Sequence, residues 1–294
     1  MPLPYSPSAY VDLHSHTTES DGSYTPQQLV ELAVQTGLEA LAITDHDTFS
    51  GYEMALPFAR AAGLDLVRGI ELNSRLNLTN SDDQRSAHLL GLFPLREPSG
   101  EFTQWIQEQR DERRQRNRKL AETLRQRGVD ITLNEVEARG GSLTSRTHFA
   151  QVLLEKGYVK TFEDAFRQYL GEDAPSYVER QSLTSEEVVG RIRSGGGIPV
   201  VAHPVRLSLP REVERQELIK LKEAGLVALE IYHSDQQPEL QAYYHQLAQE
   251  LDLLPTGGSD FHGRIKPNID LGTGLRGNVR VPSEFLQRLR EFVE

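Results

Sequence analysis

Short apolar runs in this chain alternate with longer stretches in which apolar residues recur every three or four positions, the rhythm of strand followed by helix. A first apolar run leads into "DLHSHTTESDG", and "TPQQLVELAVQTG" follows. There Thr25 is placed to cap a helix, Pro26 takes its first position, Gln28 closes a capping box and Gly37 lies just past the end. The run "ALAIT" then reads as a strand, "GYEMALPFARAAG" as a helix and "LDLVRGIEL" as a strand. The pattern resumes late, with "TSEEVVGRIRSGGG" before "IPVVA", "REVERQELIKLKEAG" before "LVALEIY" and "PELQAYYHQLAQELD" before "LLPTG". Repeated strand–helix units predict an α/β fold with a mainly parallel sheet, either a barrel or a wound sheet.

Between residues 97 and 182 this rhythm stops. The helical stretches "EFTQWIQEQRDERRQRNRKLAETLRQRG", "RTHFAQVLLEKG" and "TFEDAFRQYLG" succeed one another, which predicts a helical insertion at 97–182 within a domain made of 1–96 and 183–294. No internal repeat or low-complexity tract interrupts the chain.

Charge and composition narrow the function. A net charge of −11, from 32 basic and 43 acidic residues, argues against a protein that coats nucleic acid with its whole surface. With 0 cysteines, neither disulfides nor thiolate ligation can operate, and a metal must be held by His and carboxylate. No apolar stretch approaches the roughly 20 residues that span a bilayer, and "MPLPYSPSAY" lacks the form of a signal peptide, so a cytoplasmic protein without membrane contact is expected. No obligate protein partner is evident.

Residues of metal-binding type collect where strands should end: His14, His16 and Asp21; Asp45, His46 and Asp47; Glu71; His88; His203; and Asp260 and His262. His14 and His16 are two apart, so in an extended segment both reach the same face. In parallel α/β folds ligands gather at the carboxyl ends of strands, which predicts that these positions converge in space although they run from residue 14 to residue 262. Taken alone, a histidine such as His88 is more often a hydrogen-bonded core residue than a ligand. Asp45 and Asp47 flank His46 and are expected to orient metal-bound imidazole rather than to ligate. His233 in "EIYHSDQQ" lies just past a strand and borders the site in either a structural or a functional role, and His245 in "AYYHQLAQE" reads as a helix-surface residue.

The set H-x-H, D-G, T-D-H-D, a strand-end Glu, a strand-end His, A-H-P and S-D-x-H strongly resembles the PHP family of polymerase-associated and histidinol-phosphatase domains. The resemblance implies a distorted (β/α)7 barrel with two to three divalent metals at its open end. It implies that Glu71 bridges two metals, that His14, His16 and Asp260 complete one site, that His88 and His203 complete the second, and that Asp21, His46 and His262 hold a third. Metal-assisted phosphoester hydrolysis follows, with Glu71 and Asp260 catalytic and His233 a candidate proton donor to the leaving oxygen. Mn²⁺ is the first choice of metal, with Fe²⁺ and Zn²⁺ as alternatives.

The segment "LTSRTHFAQVLLEKGYVKTFEDAFRQYLGEDAPSYV" further resembles the PHP subfamily of nucleoside 3′,5′-bisphosphate phosphatases, which includes ribonuclease AM-like 5′ to 3′ exoribonucleases acting on short RNA. That resemblance implies removal of a 3′-phosphate from a small nucleotide substrate or nucleotide release from short RNA, with an insertion over the active site carrying Arg146 and His148 as phosphate contacts. The plainer alternative is that Arg146 pairs within the insertion and His148 packs against Phe149. "RDERRQRNRKLAETLRQR" holds eight basic and three acidic residues, and is either a solvated face or a basic wall that draws in anionic nucleotides. Phe102, Trp105 and Ile106 read as core. The competing functions are a phosphatase of another small phosphomonoester, such as histidinol phosphate, and a non-catalytic module stabilised by its metals.

Overall fold

The structure is a computed structural model and describes residues 10–79, 83–140, 144–171, 173–178 and 183–293. The N-terminal "MPLPYSPSA" lies outside the described residues. Contacts divide the chain into two units, residues 1–103 with 183–294, and residues 104–182.

In the first unit, β1 (Tyr10–Asp12), α1 (Pro26–Thr36), β2 (Ala40–Ile43), α2 (Ser50–Ala62) and β3 (Asp65–Asn77) alternate as the pattern predicts. The α1 ends form as expected: Thr25 and Gln28 make a reciprocal capping box, and Gly37 at φ 78° closes the helix in the left-handed conformation that glycine adopts without strain. β2 is buried on both faces. Ala40 and Ala42 join the central core with Val11, Leu13, Val67, Val200 and Ala228, whereas Leu41 and Ile43 pack with Leu29, Val30, Ala33 and Ala55 of the covering helices. That two-sided burial is why "ALAI" shows no alternation in sequence.

β4 (Gln84–Phe93) departs from the rhythm. It pairs antiparallel with β3 over ten residue pairs, Arg68↔Phe93 through Asn77↔Gln84, and antiparallel with the later β5 (Ile198–Val201). With no crossover helix between them, β3 and β4 can only run in opposite directions. The sheet is therefore parallel through β1–β2–β3 and again through β5, β6 (Ala228–Tyr232) and β7 (Leu254–Gly257), with β4 reversed between the two runs. Leu13 N–H donates to the Gly257 carbonyl (3.1 Å) and Ser15 bridges Phe261 in parallel, so β7 comes back to β1 and the ring nearly closes. This is the distorted (β/α)7 barrel, with an eighth strand added antiparallel to β1 by the chain's last segment.

α3 (Gly100–Gln126) follows β4, then α4 (Leu133–Gly140), α5 (Arg146–Glu155) and the short α6 (Phe162–Ala165), which runs into a π-helical turn over Phe166–Leu170. Residues 104–182 have their own core, including Leu120, Leu124, Ile131, Val136, Phe149, Leu153 and Leu170. The hydrophobic pattern does not predict α4. Phe102 is buried with Phe49 and Phe93 around it, and Trp105 and Ile106 are buried, as core residues should be.

α7 (Ser185–Ser194), α8 (Arg211–Glu223) and α9 (Pro238–Glu250) alternate with β5 to β7. A two-stranded ribbon of β8 (Ile269–Asp270) and β9 (Gly274–Leu275), then β10 (Val281–Pro282) and α10 (Ser283–Val293), complete the chain. Among the described residues no helix is long and apolar enough to cross a membrane.

Candidate metal centre

The residues expected to converge do so. His14 and His16 follow β1, His46 follows β2, His203 follows β5, and Asp260 and His262 follow β7. Glu71 and His88 sit instead inside β3 and β4, at the level where the β3–β4 hairpin runs on past the end of β2. Glu71 is 1% exposed and its two oxygens face different histidines. Oε1 lies 2.7 Å from His88 Nδ1 and 3.1 Å from His203 Nε2, while Oε2 lies 3.1 Å from His16 Nε2, 3.4 Å from His46 Nδ1 and 3.5 Å from His14 Nε2. Asp260 Oδ1 lies 3.4 Å from His16 Nε2 and 3.6 Å from His14 Nε2. Asp21 spans His262 Nε2 (3.3 Å) and His46 Nε2 (3.7 Å).

Four triads place one donor atom per residue within 4.8 Å of one another: His14, Glu71 and His203; His14, His16 and Asp260; His16, His46 and Glu71; and His16, Asp21 and His262. Within this cluster the ring nitrogens His14 Nε2, His16 Nε2 and His46 Nδ1 are buried without a hydrogen-bond partner. Buried polar atoms are rarely left so. Imidazole and carboxylate donors pointing inward at one another, with lone pairs unspent, fit divalent cations of the hard to borderline class.

Electrostatics agree. Burial alone would raise Glu71, but His46, His88 and His14 outweigh it and hold the carboxyl well below the usual range. Asp260 is likewise held low by its histidines despite burial, and Asp21, partly open to solvent, is held low by His262, His16 and His46. Burial lowers His203 to about 4, against the pull of Glu71. His16 goes the other way: burial opposes protonation, but Asp260 and Glu71 push it up to about 10. Excess negative charge thus draws protons onto some rings, and cations relieve the same excess by taking the ring lone pairs.

The supporting shell contains residues that sequence spacing did not reveal. Glu230, 0% exposed in the middle of β6, accepts from His14 Nδ1 (2.9 Å) and from the His203 backbone N–H (2.6 Å). The first contact fixes the proton on Nδ1 and turns Nε2 inward. The second braces a residue at φ 29°, a conformation that costs a non-glycine residue about 1–3 kcal/mol. Glutamine at 230 keeps the shape but sets an amide donor against one of these two donors. We therefore expect Glu230→Gln to weaken metal binding by about 10–100-fold in a chelator competition, and unchanged affinity would reduce Glu230 to a core residue.

Asp12 is equally buried and accepts from Ser259 N (3.0 Å), Ser259 Oγ (2.6 Å), Gly272 N (2.8 Å) and His14 N (3.2 Å), tying β1 to the loop that carries Asp260. Asp12→Asn replaces one acceptor oxygen by a donor, and a loss of roughly 2 kcal/mol in thermal unfolding is expected.

Asp45 corrects an expectation. Its carboxylate does not orient an imidazole but accepts from Thr17 N (2.7 Å), Thr17 Oγ1 (2.7 Å) and Ser20 Oγ (2.5 Å), so it shapes the turn that presents Asp21. It reaches a ring only at second hand, through Ser20 Oγ 3.3 Å from His16 Nδ1. A Cβ at Gly51 would stand 1.9 Å from Asp45 Oδ2, so glycine lets α2 start against this carboxylate. Asp47 contributes backbone: at φ 50° its N–H donates to the Glu71 carbonyl (3.0 Å).

His233 is 0% exposed, accepts from Asp235 N at Nδ1 (3.0 Å) and reaches Asp260 Oδ2 with Nε2 (3.3 Å). His245 lies half-buried on α9. In the separate helical unit, Arg146 opens α5, donates to the Leu170 carbonyl (3.2 Å) and stands 5.7 Å from the Tyr177 ring. His148 Nδ1 accepts from Ser145 N (3.0 Å), a side-chain cap on the start of α5. In the basic stretch, Arg114 pairs with Glu137 (2.8 Å) while Leu120, Ala121 and Leu124 are core.

Known proteins of similar sequence give this geometry its context. The chain is 33% identical over 269 residues to the 5′-3′ exoribonuclease Rnm of Escherichia coli (strain K12), covering 90% of this chain and 88% of that protein. It is 29% identical over 267 residues to the 3′,5′-nucleoside bisphosphate phosphatase of Chromobacterium violaceum, covering 90% and 91%. A solved structure from Bifidobacterium adolescentis, described as a metal-dependent phosphoesterase, superposes with a TM-score of 0.73 at 32% identity over 96% of both chains. Residues 12–181 match the PHP domain, and the chain belongs to the PHP domain family.

Proposed function

We propose that this chain is a metal-dependent phosphoric ester hydrolase that removes the 3′-phosphate from nucleoside 3′,5′-bisphosphates, and that it also releases nucleotides from the 5′ end of short RNA. The observation that carries the reading is the split of Glu71, whose two oxygens face two groups of histidines, one of which, His14, His16 and His46, presents buried ring nitrogens without a hydrogen-bond partner. The substrate follows from two relatives, which match the chain along about nine-tenths of its length.

In this reading His14, His16, Asp21, His46, Glu71, His88, His203, Asp260 and His262 hold two to three divalent ions, with Mn²⁺ preferred for a cluster of imidazole and carboxylate. Such ions supply hydroxide near neutral pH and neutralise charge on phosphoryl oxygens. Glu71 and Asp260 set the spacing of the reacting centre. His233, buried with both nitrogens engaged, supports a positioning role on Asp260 better than proton donation to the leaving oxygen. Arg146 and His148 are assigned to the substrate's phosphate.

Protein reconstituted with Mn²⁺ should release phosphate from nucleoside 3′,5′-bisphosphates faster than from histidinol phosphate or an aryl phosphate. A preference for histidinol phosphate would replace the nucleotide reading. No hydrolysis of any of them would favour a non-catalytic module.

A further inference from the structure

Asp260 is approached from two sides. Its Oδ1 faces the ring nitrogens of His14, His16 and His262 at 3.4–3.6 Å. Its Oδ2 faces Lys266 Nζ at 2.7 Å, Arg206 Nη2 at 3.0 Å and His233 Nε2 at 3.3 Å. One carboxylate oxygen has two lone pairs, so three donors are more than it can accept. Arg206 is also shared with Asp235, 2.7 Å from its Nε. The two cations are open to solvent, at 38% and 33% side-chain exposure, where Asp260 itself is 3% exposed.

Both sit on one-turn 3₁₀ helices that directly follow a histidine of the cluster: Pro204–Leu207 after His203, and Gly263–Ile265, with Lys266 as its cap, after His262. A guanidinium and an ammonium are thus held side by side at the rim of the cluster by the same loops that fix the cluster itself. Their charges are balanced here by Asp235 and Asp260. With divalent ions held by the cluster, Asp260 would have less charge to share with this pair, leaving a positive surplus that an anion from solution would meet.

We propose that Arg206 and Lys266 form a phosphate clamp beside Asp260, in which the planar guanidinium takes two phosphoryl oxygens and the ammonium acts as a point charge. The clamp rests on the phosphoesterase reading of this site and names cations in it that neither spacing nor resemblance had marked. It selects phosphate esters over neutral esters.

The test uses inorganic phosphate as probe, titrated calorimetrically into Mn²⁺-loaded wild type, Arg206→Gln, Lys266→Gln, the double variant and Lys266→Arg, with bound metal and melting temperature measured on the same samples. Each single glutamine variant should weaken phosphate binding about tenfold and the double variant more, at unchanged metal content, while Lys266→Arg retains most of the affinity. Phosphate affinity within twofold of wild type in the double variant would overturn the clamp. So would metal loss in parallel with affinity, since the pair would then serve only to hold Asp260. Failure of the phosphoesterase reading is separately visible, as metal-loaded wild type that binds phosphate but hydrolyses neither a nucleoside bisphosphate nor an aryl phosphate.

Discussion

Glu71→Ala is expected to abolish phosphate release and to lower bound metal by more than one ion per chain. Both carboxylate oxygens are engaged, one toward His88 and His203 and the other toward His14, His16 and His46, so removing the side chain withdraws a shared donor from two groups at once. It also strips negative charge from a pocket lined by five imidazoles, which turns mutual attraction into repulsion wherever a ring stays protonated. Loss of one flanking histidine should be milder. His88→Ala removes a partly exposed ring from one oxygen of Glu71 only, so it should leave most of the metal in place. Elemental analysis of purified protein decides the matter: full metal occupancy in an inactive Glu71→Ala protein would move Glu71 from ligand to another role.

The second large effect is expected at Arg146. Arg146→Ala should cost on the order of 2–4 kcal/mol in kcat/KM for a nucleoside bisphosphate, with melting temperature and metal content nearly unchanged. Its guanidinium carries five N–H donors, of which the bond to the Leu170 carbonyl uses one, leaving the planar fork for two phosphate oxygens. Arg146→Lys should recover only part of the loss, because a point charge does not reproduce two parallel hydrogen bonds. The Leu170 contact and the neighbouring Tyr177 ring also describe a purely structural residue. The two roles separate on one protein: an equal loss on an aryl phosphate, or a fall in thermal stability large enough to explain the defect, would rule out a substrate contact.

What could be read from the chain alone was whatever is local or repeats. The capping box of α1 needs only Thr25, Gln28 and Gly37, and strand ends carrying His or Asp announce themselves because an apolar run stops at a ligand-type residue. Residues acting across the barrel were not legible. Glu230 contacts His14 over a separation of 216 residues and Asp12 contacts Ser259 over 247, and neither pairing leaves a mark on spacing. A signal did exist in both cases: a carboxylate flanked by apolar residues in a buried strand must find partners, which "VALEIY" and "YVDLH" both display. The reversal of β4 was foreshadowed by the turn-forming "LTNSDDQ" between its strand and the one before. β8 to β10 are two residues each, too short for any period to emerge, whereas α10 does carry Phe285, Leu286 and Leu289 at helical spacing. Arg206 and Lys266 carry no mark in the sequence, because a basic residue near a strand end reads as surface until the outer oxygen of Asp260 is seen beside it.

If the clustered histidines and carboxylates form a metal centre that hydrolyses phosphate esters, activity must follow bound metal. The most direct measurement strips the protein with a chelator, returns Mn²⁺ stepwise, and follows phosphate release from a nucleoside 3′,5′-bisphosphate against metal bound per chain. Stripped protein should release no phosphate, release should rise with loading, and it should level off at two to three ions per chain. Release that persists in stripped protein, or none at full loading, would contradict a catalytic metal centre.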